Sequence, residues 1–599
     1  MHRPQPDRTL PDRPAAALHA AKIVAHRLRR LTWDRLIDPP QRWTRAPAPE
    51  HSQLAGRSHS KLWTHTDPAE RALEAGKVHN LRLAARAFDG LYVPPGGVFS
   101  FWAHLGRPTA RAGYAVGREL RQGCLIPSIG GGLCQISNSL YEAALDAGLP
   151  IIERHRHSRV VPGALSEQDR DATVFWNYVD LRFRAPRGLW ITCRLTGDQL
   201  IVELRAPNAA PRNQRPPALR VIQGGPVANS CATCGQHACF RNADAVARRL
   251  ERGRTAWLLD AHRPEFDRYL CAERGPDDVA LLPINGRLLK WDRYAWSTQG
   301  MAVITAPHGA ARRTLHARRL HSEGAARQTA ALQDDALIAE SLGRRIPLDC
   351  THVVVDGTLL PHLWRGGWLG GRTFDVLLTR APLSQLHGTL NRAAERWPQS
   401  RTLADFRADP TLISAEDAAL AAARRIITPH AALARPFGPR AHRLPWATGQ
   451  VVQPRPRNIR PVVVFPTTTL GRTGAYALRE ALHDLGEPID LRLAGPVLEG
   501  GDFWAGLNAR TQPWSEALAE ADVVVAPAWV THWPRRLLDA LASGVPVIAS
   551  PACGIEHPLL RLLEPGDPAA LRQALLHAQR ASAASAPRPS APARTCGPA

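Results

Sequence analysis

The chain has 599 residues and a net charge of +23, but only Lys22, Lys61, Lys77 and Lys290 are lysines among its 76 basic residues. The excess is therefore arginine scattered through an Ala- and Pro-rich chain, with no long basic run, and it excludes a dedicated nucleic-acid face. No stretch approaches ~18 apolar residues, which excludes a spanning helix, and ten cysteines in a chain of this length exclude a disulfide scaffold.

Residues 1–67 read as a basic, partly disordered extension. Within it, 15–37 has the pattern of a short basic amphipathic helix (Ile23, Val24, Leu28, Leu31, Trp33, Leu36), a surface for peripheral membrane contact or for another domain. The start has no signal-peptide core, so a cytoplasmic protein is expected. Residues 68–206 form a first domain, with a helix over 69–88, a turn at Pro94–Gly97 and a strand at Val98–Trp102. After the turn Gly130–Gly132, Cys134 falls in the first turn of a helix whose apolar side is Ile136, Leu140, Ala144 and Leu145. Peptide dipoles there lower a thiol's pKa. Gly131 and Gly132 leave room for a substrate carbonyl and free N–H groups for an oxyanion, and Gln135 is grouped with them as substrate-binding. His155 or His157 could serve as base, oriented by Asp171, in a Cys–His–Asp arrangement. The competing reading of Cys134 is a buried structural thiol.

Residues 80–205 strongly resemble the VanW family. The landmarks are AARAFDG (84–90), PPGGVFSF (94–101), LGRPTARAGY (105–114), GGGLCQISNSLY (130–141), IIERHRHS (151–158) and DATVFWNYVDLRF (171–183). The resemblance implies peptidoglycan cross-linking of the L,D-transpeptidase type, with Cys134 as nucleophile and His157 and Asp171 on family-like positions. It leaves open whether the domain acts on a cytoplasmic precursor or only binds.

A linker follows at 207–254. Its segment CATCGQHACFRN places Cys231, Cys234, His237 and Cys239 close enough for one zinc ion. An iron–sulfur centre with Cys271 as a further ligand, or a reduced loop without metal, are the alternatives.

From 255 onward, short apolar runs alternate with helical patterns. Strands are expected at Trp257–Asp260, Val279–Pro283, Val303–Ala306, Val353–Asp356, Phe374–Leu378 and Ile426–Thr428, then at Val462–Phe465, Asp490–Leu493, Asp522–Ala526 and Val545–Ala549. This predicts two Rossmann-like domains, 255–445 on the acceptor side and 446–577 on the donor side, with a ligand cleft between them. The loop Gly366–Gly371 could close over an acceptor, and His430 could reach the cleft. The tail 578–599 reads as disordered.

The segment around EALAEADVVVAPAWVTHWPRRLLDALASGVPVIAS resembles the donor-binding end of retaining GT-B glycosyltransferases. The resemblance implies a nucleotide-sugar donor, held by Arg472 and Gly474 of LGRTG, by Asp539, and by a helix starting after Val530. Thr531 and Thr473 stand where the family commonly has Glu and Lys. The expectation is a multidomain α+β and α/β protein, a cytoplasmic VanW–glycosyltransferase fusion. It would serve cell-envelope glycan or glycoconjugate synthesis, with a glycan, a peptidoglycan precursor or a small molecule as acceptor. The alternative is a non-catalytic scaffold built from the same domains.

Overall fold

The computed structural model describes residues 12–121, 124–157, 171–207, 229–234, 239, 250, 253–320, 324–453, 460–485 and 489–584. Short runs of Val, Ile and Leu in the second half form parallel strands buried on both faces. The first sheet has seven strands, in the order Ala302–Thr305, Val279–Leu282, Arg254–Leu258, Cys350–Asp356, Thr373–Leu377, Arg425–Thr428 and Ala441–Arg443. The second has six, ordered Asn508–Thr511, Asp490–Leu493, Val462–Phe465, Val523–Ala526, Val547–Ala549 and Leu560–Leu562. Each sheet starts in its interior, grows to one edge, then crosses back to build the other. That order leaves a crevice at the strand ends between the first and fourth strands.

Every strand expected from the apolar runs forms. The unexpected strands of these two sheets, Ala441–Arg443, Asn508–Thr511 and Leu560–Leu562, are short edges with largely exposed residues, so they carry no apolar signature. The boundary expected at 445 falls between the last strand of the first sheet, Ala441–Arg443, and the first of the second, Val462–Phe465, but apolar packing crosses it. Helix Leu383–Arg396, with Trp397, Leu403 and Leu412, shares one apolar core with Val463, Phe465, Tyr476, Leu491 and Leu571. The segment between strands Thr373–Leu377 and Arg425–Thr428 of the first sheet thus packs into the core of the second.

The N-terminal extension is also corrected, because much of it belongs to the first domain. Strand Gln53–Lys61 pairs antiparallel with Gln199–Ala206, which pairs with Leu189–Leu195 and then Leu91–Val93. This edge strand is polar and so passed as loop in the sequence. Its Gly56 is required by packing: a Cβ there would lie 2.1 Å from the Ala143 carbonyl oxygen of helix Cys134–Asp146. The helix expected over 15–37 spans Arg13–Leu36.

The loop Gly366–Gly371 does not cover an acceptor. It is buried against helix Pro68–Phe88 of the first domain. Arg82 donates to the Gly370 carbonyl at 2.8 Å, Gly371 N–H to Thr196 at 2.7 Å, and the Arg86 guanidinium sits 4.0 Å from the Trp368 ring centroid. Trp368 and Leu369 are almost wholly excluded from solvent. The C-terminal helix Pro568–Ala584 continues past the boundary expected at 577, while 585–599 lie outside the described residues. Among the described residues, no helix is long and apolar enough to cross a membrane.

Candidate functional site

A cavity of about 540 Å³ opens in the first domain, and Cys134 lines it. The cysteine is the first residue of helix Cys134–Asp146, whose N-terminus has no side-chain cap. Gly130 and Gly132 take positive φ (78° and 98°), which a residue with a Cβ adopts only with strain. Gly131 has an ordinary φ, but its missing side chain lets two backbones cross: a Cβ would stand 2.5 Å from the Gly117 carbonyl carbon. The Gly132 position is filled in the same way by the Lys77 side chain, 2.3 Å from a notional Cβ. The space at these two glycines is therefore taken up by the protein itself, not left for a substrate carbonyl. Their other expected role has a basis: among the described residues, the N–H groups of Gly132, Leu133 and Cys134 donate to no backbone carbonyl.

His157 hydrogen-bonds the Cys134 thiol. Its Nδ1 lies 2.5 Å from one Asp171 oxygen, and its backbone N–H donates to the other. Asp171 is buried, so the imidazole is held from behind by a fixed carboxylate. Burial opposes charge on both partners, but their mutual attraction and hydrogen bonding prevail. Cys134 is lowered from the ordinary thiol value, and His157 is raised to about 10 by the sulfur's charge and Asp171. Both shifts favour the thiolate–imidazolium form of the pair over two neutral groups. Thr173 Oγ1 at 3.5 Å and the Val174 carbonyl at 3.7 Å complete the sulfur's surroundings. His155, the alternative base, is exposed and lies beside Glu153.

Gln135 lines the cavity, but its amide nitrogen donates to the Lys61 carbonyl at 2.7 Å and to Ser60. It ties the cysteine helix to the N-terminal strand. The sequence reading missed the rest of the lining, which carries Lys61, Lys77, Arg107, Arg118, Glu119 and Arg121 together with Trp102, Phe175 and Trp176. Lys77 is buried next to Glu74, and desolvation brings its pKa down to about 8. A signal did exist. Two of only four lysines in an arginine-biased chain meet at this cavity, and lysine, unlike arginine, can have its pKa tuned by burial.

The zinc reading finds no support. Cys231 is buried against Cys124, and the hydrogen bond between them, with burial, raises its thiol above the ordinary value. Among the described residues, no group of three or more His, Cys, Asp or Glu is placed to hold a metal ion. Cys234 and Cys239 are partly exposed and Cys271 is exposed. His237 lies outside the described residues.

In the second half, Arg472 sits in the turn Gly471–Thr473, at the crevice of the six-stranded sheet, where its carbonyl accepts from Trp529 N–H at 2.9 Å. Its guanidinium makes no hydrogen bond or ion pair among the described residues; Asp405 is the nearby charge. Gly474 has φ 81° and lies against Pro527, 2.1 Å from the carbonyl oxygen to a notional Cβ, so it is a packing glycine at this turn. His532, not singled out in the sequence, lies among Arg472, Arg380, Arg263 and His430. Burial and the nearby arginines push it down to about 3, and its Nδ1 is buried without a partner. A neutral imidazole and an unpaired guanidinium thus share the junction of the two domains.

Two other donor-side expectations shift. The helix expected after Val530 begins at Arg535, following Pro534. Both Asp539 oxygens are engaged, one by Gln450 N–H at 2.8 Å and the other by the Trp514 indole at 3.1 Å, so this carboxylate fastens the interdomain connection. His430 is at the domain junction but is structural. It caps helix Ala431–Ala434, and its Nε2 donates to Ala552 O at 3.0 Å.

Residues 76–205 match the family model described as VanW like protein, and residues 494–580 match glycosyl transferases group 1. The chain is 37% identical over 128 residues to the uncharacterized protein YoaR of Bacillus subtilis (strain 168), covering 21% of this chain and 42% of that protein. It is 31% identical over 173 residues to the vancomycin B-type resistance protein VanW of Enterococcus faecalis (strain ATCC 700802 / V583), covering 28% and 60%. It therefore spans less than two thirds of either curated relative. Among solved structures, sucrose-phosphate synthase from Thermosynechococcus elongatus aligns at 14% identity and TM-score 0.36, over 55% of this chain and 91% of that one. The chain thus carries a VanW domain at residues 76–205 and, in its C-terminal part, a group 1 glycosyltransferase domain within a GT-B-like pair of parallel sheets.

Proposed function

We propose that the protein couples two chemistries, thiol-dependent acyl transfer at Cys134 and glycosyl transfer from a nucleotide sugar at the junction of the two parallel sheets. The first rests on one observation: Cys134, His157 and Asp171 are already connected at the wall of a substrate-sized cavity. The Cys134 thiolate attacks the carbonyl carbon of an amide, and the N–H groups of Gly132, Leu133 and Cys134 face the developing oxyanion. His157 passes its proton to the amine as the C–N bond breaks, leaving a thioester. An acceptor amine then attacks the thioester, gives its proton to His157 and expels the thiolate. Incubation with a carboxamide peptide donor and a labelled amine, followed by intact-mass detection of acyl-enzyme, tests this. Persistent absence of acylation in folded protein makes the domain a binding module.

Glycosyl transfer draws support from the group 1 match and from Arg472, an unpaired guanidinium at the strand-end crevice, where such sheets bind ligands. Arg472 would hold the donor's diphosphate, with neutral His532 beside it. Nucleotide sugars are cytoplasmic metabolites, in keeping with a cytoplasmic protein acting on an envelope glycan, a peptidoglycan precursor or a small-molecule acceptor. A thermal-shift panel of nucleotide sugars provides the test. A ligand at 100 times its dissociation constant stabilises the native state by about 2.7 kcal/mol. No shift with any donor, and no donor hydrolysis, favours a scaffold.

A further inference from the structure

The N-terminal helix Arg13–Leu36 packs the wrong way round for a helix that meets only water and protein. Its inward residues follow one helical face: His19, Ile23, Arg27, Arg30 and Asp34 are half-buried. Arg30 forms a two-pronged bond to Glu153 at 2.8 Å and also bonds Asp34 at 2.7 Å. Arg27 donates to the Trp176 carbonyl, and His26 stacks on Tyr178. The outward face carries Leu18, Val24, Leu28, Leu31 and Leu36, with Leu28 62% and Leu36 79% exposed. An ordinary surface helix buries its leucines and shows its arginines to solvent. Here the charged face is held by ion pairs while the leucines are left uncovered, an apolar surface of the kind that marks a contact site.

We infer that this outer face docks on an anionic phospholipid surface. The charge of the helix selects that occupant. Arg13, Lys22, Arg29 and Arg35 are exposed around the leucines, and the one acidic residue of the helix, Asp34, is turned inward onto Arg30. Leucines flanked by cations, with Trp33 partly exposed near the end, suit the boundary between headgroups and acyl chains. The same helix contributes Arg27 to the cavity that holds Cys134. Docking would set that cavity close to the lipid surface, within reach of a lipid-attached substrate.

Sedimentation of the full chain with phosphatidylcholine vesicles, with and without phosphatidylglycerol, tests the inference, using parent protein and Leu28→Ser/Leu31→Ser. Both side chains are exposed, so the double variant should fold, and its charge is unchanged. The parent should bind the anionic vesicles, and the variant should bind them at least about tenfold more weakly, since two leucines no longer enter the acyl boundary. Equal binding of the two proteins would mean that the +23 charge alone drives adsorption, and would overturn the inference. So would failure of the parent to bind anionic vesicles. Lipid-free self-association that disappears in the variant, by light scattering across a concentration series, would assign the face to a second copy of the chain instead.

Discussion

The two halves differ in how much of their chemistry is already assembled. In the VanW half, the thiol, imidazole and carboxylate of Cys134, His157 and Asp171 are joined by hydrogen bonds, and their mutual attraction lowers the thiol and raises the imidazole. In the glycosyltransferase-like half, the residues at the crevice divide into two sets. Asp539 and His430 are committed to holding the domains together, while Arg472 and His532 are left without hydrogen-bond partners on the atoms that face the junction. An internal ion pair satisfies its own desolvation, whereas an unpaired guanidinium in a half-buried site is satisfied only when an anion arrives. The first site should therefore reveal itself in the free protein and the second on ligand binding.

The largest effect that could break this contrast is on the thiol. Iodoacetamide should label Cys134 faster at pH 6 than any other cysteine, as mapped by peptide mass spectrometry. His157→Ala should slow that labelling at least about tenfold, because the imidazolium that lowers the thiol's pKa is lost. The sign with pH follows from the lowered Cys134 and the raised His157. The parent's rate should fall as the pH drops and the thiolate is protonated, with a midpoint below that of an ordinary thiol, and His157→Ala should move that midpoint up. Slow labelling that rises only on unfolding would make Cys134 a structural thiol and erase the difference between the halves.

Next is the donor side. Arg472→Ala should weaken binding of whichever nucleotide sugar shifts the melting curve. A charge-assisted contact of about 1.5–3 kcal/mol corresponds to roughly 10- to 150-fold. Titration calorimetry with parent and variant measures it. An unchanged affinity places the donor elsewhere.

The parallel sheets were legible because a strand buried on both faces must be apolar along its length. Val462–Phe465 and Asp490–Leu493 form with the bounds their composition indicates. The cysteine's place at a helix start was legible too, from three glycines and the apolar spacing that follows. What escaped was set by partners distant in sequence. Strand Gln53–Lys61 is polar because it lies at a sheet edge, and Lys77 is a cavity residue only because Gly132 lets it lie against the cysteine turn. The glycines of Gly366–Gly371 announced a flexible loop, but glycine permits close packing as readily as motion, and here the packing is against helix Pro68–Phe88.

That contact bears on whether the halves unfold as one body. Gly371 has φ 71°, and a Cβ there would come 2.4 Å from Val78 Cγ1. Gly371→Ala should therefore cost about 1–3 kcal/mol through strain and overpacking at the seam between the halves. Calorimetry should show the transition of the parent broadening or dividing in the variant. An unaltered melting curve would mean that the seam contributes little to stability.

The smallest effect separates a fastening carboxylate from a ligand contact. Asp539 accepts from Gln450 N–H on one oxygen and from the Trp514 indole on the other, so both oxygens are engaged within the protein. Asp539→Asn keeps one acceptor oxygen but turns an N–H₂ toward the second donor, so one of these hydrogen bonds is lost and two donors face each other. With Gln450 exposed and able to turn to water, the expected loss is about 1 kcal/mol, at the lower end for such a defect. Denaturant unfolding should report that loss, while the affinity for nucleotide sugar stays within about twofold, well below the 1.4 kcal/mol that marks a tenfold change. A large fall in affinity at unchanged stability would reverse the assignment, returning Asp539 to the donor and making its present bonds a resting state that the ligand displaces.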